Sequence, residues 1–287
     1  MKNKFLYLLI LKNGFLYPLI LFLCFLTIAG YSQTSKIPYG NNPAAGKYYS
    51  VHGIKMYTET YGNGKPLLLI HGNGGSISVF ADNIPYFSAR YKVIAVDSRA
   101  HGKSTDPGDS LSFEMMADDF AALLDQMHID SAYVIGWSDG GINALLLAMR
   151  HPDKVIKLVS TGANMTPDSL ALIPSLWYDE QKEFERDKNK VRTTAKEKND
   201  WKVFLLDWLQ PNVPLADLSR VKCPSLIVCG DDDLITLEHT AAIYRHIPKA
   251  YLWILPHSGH ATLQIHRDDF NRMVNAFFEQ PFDQFSY

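Results

Sequence analysis

The chain has 287 residues, of which 47% are hydrophobic and 20% are charged. This balance is that of an ordinary globular protein, and the length suits one large α/β domain with or without an insert. The formal net charge of −2 lacks the strong positive excess of nucleic-acid-binding surfaces. We therefore predict no nucleic-acid partner.

Residues 1–32 have the features of a signal peptide. Three lysines precede the apolar run 15–29, and Gly30 and Ser32 are small residues suited to a cleavage site. The run is about 15 residues long, shorter than the roughly 20 that span a bilayer. We expect an exported protein, periplasmic or extracellular. The alternative is a membrane anchor formed by residues 5–29, which would be the protein's contact with a membrane.

Short apolar runs alternate with helical patterns along most of the chain. The stretch 48–61 reads as a β-hairpin, and residues 113–127 and 270–277 place apolar side chains at helical spacing. The apolar runs lie at 67–70, 93–96, 133–135, 155–159, 226–228 and 251–255. Continuous runs of this kind are typical of strands buried on both faces. The pattern predicts a mostly parallel, doubly wound α/β sheet.

Residues 164–219 interrupt this alternation. The segment contains no strand-like run, is charged in its middle, and holds Trp177, Trp201 and Trp208. We predict a helical cap inserted after the sixth strand, between a first core part, 33–163, and a second, 220–287. The alternative is a solvated insert in which the tryptophans serve only packing.

A serine lies where an apolar strand pattern meets an apolar helix pattern. The residues from Gly136 to Gly140 fit Gly-x-Ser-x-Gly with Ser138 at the centre. A sharp strand-to-helix turn strains the central residue and crowds the positions two residues to either side, which glycine relieves. The serine hydroxyl then projects above the sheet, so Ser138 is a candidate nucleophile.

A nucleophilic serine needs a base and an acid. Three carboxylates, Asp231–Asp233, follow one apolar strand, and His257 and His260 follow the next. Because the carboxyl ends of parallel strands share one edge of a sheet, these groups should gather near Ser138. The spacing of the two histidines could suggest a metal site, but no third ligand motif accompanies them. We predict no metal and no cofactor.

The loop His71–Gly75 follows another strand at the same edge. A glycine-rich loop there can present a backbone N–H to a reacting carbonyl group. We predict that the N–H groups of Asn73 and Asp139 form an oxyanion hole. The alternative for the loop is an ordinary turn between strand and helix.

These motifs together resemble the α/β-hydrolase fold superfamily over about residues 48–280. The matching segments are His71-Gly72, Asp97–Ser104, Gly136–Gly140, Gly230-x-x-Asp233 and Gly259-His260. The resemblance implies that Asp233 is the acid and His260 the base. It also implies that the insert is a cap. Ala100 departs from the family pattern, which usually has glycine there.

The segment Gly136–Leu145 with Gly162–Asn164 is similar to the biphenyl-hydrolase-like group, which includes valacyclovir hydrolase. In that group the acid after the nucleophile recognises the α-amino group of amino-acid esters. The resemblance thus implies a substrate-binding role for Asp139, although an acid at a helix N-terminus is also favourable by itself. Trp137, on the other side of Ser138, is a second candidate substrate-binding residue.

The sequence therefore predicts a serine hydrolase that cleaves a small carboxylic ester, with an amino-acid ester as a narrower option. Ser138, His260 and Asp233 would form the triad, and the reaction would pass through an acyl-enzyme. An amide, a thioester, a lactone or a carbon–carbon bond are alternative substrates on the same triad. A ligand-binding relative without turnover is a further alternative.

Overall fold

The computed structural model describes residues 37–283, so the predicted signal peptide lies outside the described residues. Eight strands form one sheet in the order β1-β2-β4-β3-β5-β6-β7-β8. The strands are β1 (Gly46–Val51), β2 (Ile54–Tyr61), β3 (Lys65–Ile70), β4 (Tyr91–Val96), β5 (Ala132–Trp137), β6 (Val155–Thr161), β7 (Ser225–Gly230) and β8 (Ala250–Leu255). Strands β3 to β8 pair in parallel, whereas β2 pairs antiparallel with β1 and β4. The predicted mostly parallel sheet is confirmed.

The β1–β2 hairpin turns at His52 and Gly53, as the sequence predicts. Both residues have positive φ, 39° and 81°. Two-residue hairpin loops with positive φ at both positions match the natural twist of paired strands. The hairpin forms one edge of the sheet, and β8 forms the opposite edge.

Helices cover both faces of the sheet. They are α1 (Ile84–Ser88), α2 (Phe113–Gln126), α3 (Asp139–Arg150), α4 (Pro174–Asp187), α5 (Ala195–Leu209), α6 (Leu237–His246), α7 (Thr262–Ile265) and α8 (Arg267–Glu279). Leu68 and Ile70 of β3 pack into the core on one face, with α2 and α3. Leu67 and Leu69 pack into the core on the other, with α1 and α8. Burial on both faces explains why the strand runs are continuously apolar.

The insert between β6 and β7 contains helices α4 and α5. A capping box at Thr194 and Glu197 begins α5. Lys202, a buried residue of α5, pairs with the Asp106 carboxylate, which also binds Arg99 at 3.0 Å. This ion-pair network fixes α5 to the loop after β4. The predicted boundaries of the insert and its role as a cap stay predictions.

Between residues 37 and 283, no helix is both long enough and apolar enough to cross a bilayer.

Candidate active site

Ser138 occupies a strained turn between β5 and α3. Its backbone has φ 58° and ψ −123°, a combination that non-glycine residues rarely adopt. A Cβ atom on Gly136 would lie 1.9 Å from the Gly140 carbonyl oxygen, and one on Gly140 would lie 1.9 Å from the Ile70 oxygen. The crowding that the sequence pattern predicts is therefore present, and both positions require glycine.

Replacing Gly136 by alanine should destabilise the fold by more than about 3 kcal/mol, because backbone atoms must move to admit the methyl group. Urea unfolding of the purified variant measures this loss. Gly259→Ala is the matched control, since its added Cβ would meet only Asp232 oxygen at 3.5 Å. Equal stability of the two variants would contradict the crowding argument.

The structure brings Ser138, His260 and Asp233 together at the carboxyl ends of β5, β8 and β7. His260 Nε2 lies 2.9 Å from Ser138 Oγ, and His260 Nδ1 lies 2.6 Å from Asp233 Oδ1. The ionised Asp233 carboxylate can only accept hydrogen bonds, so Nδ1 carries the proton and Nε2 faces the hydroxyl with its lone pair. This geometry is suited to removing a proton from Ser138.

Asp233, and not Asp231, reaches the histidine. Asp233 is buried and also accepts hydrogen bonds from the N–H groups of Gly230, at 3.1 Å, and Ile235, at 3.3 Å. Burial raises its pKa, but the hydrogen bond and charge of His260 and the backbone donors outweigh burial and hold the pKa below its ordinary value. Asp231 instead accepts from the backbone N–H groups of the His257 loop.

Gly162 makes room for the base. Its φ is +65°, and a Cβ atom there would lie 2.7 Å from His260 Cε1. The preceding residue, Thr161, accepts the Ser138 N–H through its carbonyl oxygen at 2.9 Å. The end of β6 therefore positions both Ser138 and His260, a role that sequence spacing does not indicate.

Trp137 contacts the loop that carries the base. Its Nε1–H donates to the His260 carbonyl oxygen at 2.9 Å, and the two rings lie 5.7 Å apart between centroids. The residue thus supports the position of His260. Its predicted contact with substrate stays a prediction.

The glycine-rich loop is held by His71 and Asn73. His71 is buried, and burial lowers its pKa to about 3, so the ring is neutral. It donates from Nδ1 to the Gly72 oxygen at 2.7 Å and accepts the Ser98 N–H at 3.0 Å. Among the described residues, the N–H groups of Asn73 and Asp139 have no acceptor, so both are available to a ligand oxygen.

Asp139 lies in a cluster of carboxyl groups that includes two residues of the insert. It is 3% exposed and accepts a hydrogen bond from Asn73 Nδ2 at 3.0 Å. The carboxyl group of Asp207, from α5, is within hydrogen-bonding reach, and Glu180, from α4, adds negative charge. The pKa of Asp139 is raised well above its ordinary value, mainly by burial and next by the negative charge of Asp207. The closeness of Asp207 therefore disfavours a negative charge on Asp139.

Burial also raises the pKa of Asp207. The pKa of Glu180 is raised to about 7, first by burial and then by the negative charges of Asp207 and Glu183. Sequence reasoning missed both residues. A signal existed in α5, where Asn199, Val203 and Asp207 recur at four-residue spacing and so share one helical face. Asp207 is thus an acidic residue on a helix face that also carries apolar side chains, and a residue in such a position is a candidate for contact with a ligand.

Within residues 37–283, no three His, Cys, Asp or Glu side chains are arranged as a metal site.

Known proteins resemble this chain in fold and in sequence. Residues 65–193 match the family model described as alpha/beta hydrolase fold. The chain is 28% identical to serine hydrolase BPHL of Mus musculus over 250 residues, covering 80% of this chain and 85% of that protein. The chain has the α/β-hydrolase fold that the sequence predicts.

Two further comparisons are with a carbamate hydrolase and with a meta-cleavage product hydrolase. It is 26% identical to the putative carbamate hydrolase RutD of Caulobacter sp. (strain K31), over 81% of this chain and 95% of that one. A solved meta-cleavage product hydrolase, CumD of Pseudomonas fluorescens IP01, superposes with a TM-score of 0.66 at 24% identity, over 83% of this chain and 98% of that chain. The similarity to BPHL also confirms the narrower resemblance seen in the sequence. The protein is a hydrolase.

Proposed function

We propose that this α/β-hydrolase is a serine esterase that cleaves small carboxylic esters through an acyl-enzyme. The observation that carries the proposal is the line of two hydrogen bonds from Asp233 through His260 to Ser138, at 2.6 and 2.9 Å. It has the arrangement of nucleophile, base and acid that acyl transfer requires. Because the sequence predicts an N-terminal signal segment, we also propose that the enzyme acts outside the cytoplasm.

In the proposed reaction, Ser138 Oγ attacks the ester carbonyl carbon while His260 Nε2 takes the hydroxyl proton. The N–H groups of Asn73 and Asp139 stabilise the tetrahedral oxyanion. The oxyanion collapses, the ester C–O bond breaks, and His260 gives its proton to the leaving alcohol. Water then attacks the acyl-enzyme through the same base and releases the carboxylic acid and Ser138. Asp233 holds the histidine and stabilises its cation throughout.

Pre-steady-state hydrolysis of p-nitrophenyl acetate tests this scheme. We expect an initial release of nitrophenol approaching one equivalent of enzyme, followed by steady turnover, and an acetyl adduct on Ser138 in acid-quenched samples. A linear time course without any adduct on Ser138 would contradict the proposal. A burst without later turnover would favour the ligand-binding relative.

We further propose that the acyl group carries a positive charge, as in an amino-acid ester. The support is the buried Asp139 carboxyl beside Ser138, with Asp207 next to it. A buried carboxylate is costly unless a cation or hydrogen bonds compensate it. A substrate ammonium group at this position would supply that charge, and the insert, acting as a cap, would close over it.

A pair of esters that differ only in a free α-amino group tests the charge. We expect alanine p-nitrophenyl ester to exceed N-acetylalanine p-nitrophenyl ester by at least about 10-fold in kcat/KM, since a charge-assisted hydrogen bond is strong in a buried site. Asp139→Asn should remove this preference and leave the acetylated ester, the internal control, within about 3-fold. If Asp139→Asn slows both esters equally, Asp139 acts only at the helix N-terminus.

A further inference from the structure

A cavity of about 450 Å³ lies beside the Asp139 site, between the glycine-rich loop, the loop at residues 100–102 and α5. The side chains that matter here are those of His101, Asp207, Val203 and Phe204. None of the lining residues, all within the described range, is a lysine or an arginine. The cavity therefore has an apolar wall and acceptor groups, but no cationic side chain.

His101 lines this cavity and has a buried ring nitrogen that lacks a partner among the described residues. The residue is 5% exposed, and its Nδ1 lies 2.8 Å from the Arg99 carbonyl oxygen. A carbonyl oxygen only accepts, so Nδ1 carries the proton. Burial lowers the pKa of His101, so the ring is neutral and Nε2 holds a lone pair. In the part of the chain that the structure describes, this buried Nε2 has no partner.

The insert adds two carboxyl groups, Asp207 and Glu180. Asp207 lines the cavity, and among the described residues the buried Glu180 Oε2 has no hydrogen-bond partner. Across residues 37–283, neither Asp207, Glu180 nor Asp139 forms an ion pair. Unpaired buried acceptors cost free energy, which a ligand with several N–H donors would recover.

A substrate with one ammonium group would satisfy Asp139 but leave His101 Nε2 and most of the acidic cluster without donors. Val203 and Phe204 line the same cavity and offer an apolar surface for a methylene chain. A flexible chain with a cationic end therefore fits the cavity better than an apolar or anionic group.

We propose that this cavity is a second cation subsite, which holds the charged side chain of a basic amino-acid ester. Asp207 and His101 Nε2 accept hydrogen bonds from the terminal ammonium group, and Val203 and Phe204 contact its methylene chain. The inference rests on the proposed function, in which Asp139 holds the α-ammonium group. Asp207 and His101 are then specificity-determining residues, and the enzyme's acyl substrates are lysine-like.

Four p-nitrophenyl esters test the subsite: those of lysine, norleucine, Nα-acetyllysine and Nα-acetylnorleucine. The set separates the side-chain charge from the α-amino charge. For the wild-type protein we expect kcat/KM to rise at least about 10-fold with the side-chain ammonium group, whether or not the α-amino group is acetylated. A ratio near 1 in both pairs would overturn the proposal.

Variants identify the residues. The ratio of kcat/KM for the lysine ester to that for the norleucine ester should fall to about 3 or less in Asp207→Asn and in His101→Leu. His101→Gln keeps an acceptor and should retain most of this ratio. Asp200→Asn is the matched control, because that carboxylate lines the same cavity but already pairs with Lys196 at 2.6 Å. A ratio unchanged in Asp207→Asn and His101→Leu would contradict their roles.

Binding of free amino acids keeps this test independent of turnover. By calorimetry, Ser138→Ala protein should bind lysine at least about 10-fold more tightly than norleucine, and Asp207→Asn should remove the difference. If no ester is cleaved yet lysine binds preferentially, the proposed esterase function fails and the subsite stands. If esters are cleaved but lysine is favoured over norleucine neither in kcat/KM nor in binding, the proposed subsite is wrong and the proposed esterase function stands.

Discussion

Replacing Ser138 by alanine should lower kcat/KM for p-nitrophenyl esters by at least about 10⁴-fold. Without the hydroxyl there is no acyl-enzyme, and only the oxyanion donors and substrate binding remain to assist attack by water. Labelling by a fluorophosphonate probe should disappear together with activity. Steady-state kinetics and in-gel detection of the probe measure the two effects on the same preparation.

A second buried serine at the same edge of the sheet provides the control. Ser98 follows β4, is 1% exposed, and its Oγ has no hydrogen-bond partner among the residues described. Ser98→Ala therefore removes no interaction of the hydroxyl and should keep both labelling and activity within about 3-fold. Persistent labelling of Ser138→Ala would show that another residue is the nucleophile.

Replacing Asp233 by asparagine should lower kcat by about 10⁴-fold with little change in shape. The asparagine amide can donate to His260 Nδ1, which would place the ring proton on Nε2, where it cannot accept the Ser138 proton. The variant also loses the negative charge that stabilises the histidine cation during the reaction. Steady-state kinetics of a freely cleaved ester, together with a thermal melt, measure the effect.

Asp231→Asn is the matched control because the two aspartates follow the same strand. The Asp231 side chain accepts from the N–H groups of His257 and Ser258, at 2.9 Å each, whereas the His260 ring bonds to Asp233 and Ser138. We expect a change in kcat of less than about 10-fold, with some loss of stability from the weakened loop. A larger fall in Asp231→Asn than in Asp233→Asn would overturn the choice of acid.

The sheet and the closeness of Ser138 to His260 were predictable because both depend on local patterns. Each apolar run is long enough to identify a strand, and parallel strands bring their carboxyl ends to one edge whatever the intervening sequence. Ser138 and His260 therefore lie close together in the structure, as their motifs indicate. The choice of Asp233 over Asp231 needed the family resemblance, since local sequence leaves both at the same strand end.

The environment of Asp139 was not predictable in the same way. Asp207 and Glu180 reach it from helices whose position over the sheet depends on packing between distant segments. The insert carries no strand pattern to fix its place, and its attachment through Lys202 and Asp106 joins residues far apart in sequence. The lack of a partner for His101 Nε2 among the described residues becomes visible only when the burial of the ring is known.

On the proposed mechanism, Asn73 links substrate selection to reaction rate. Its side-chain amide donates to both the Asp139 carboxylate, at 3.0 Å, and the Val203 carbonyl oxygen in α5, at 3.2 Å. On the proposed mechanism its backbone N–H also stabilises the oxyanion. A substrate that binds in the wrong position and shifts α5 or Asp139 would then misplace this donor. Discrimination between substrates would therefore appear in kcat more than in KM. Exchanging the insert for that of a relative should change specificity at the expense of turnover unless both acceptors of Asn73 are retained.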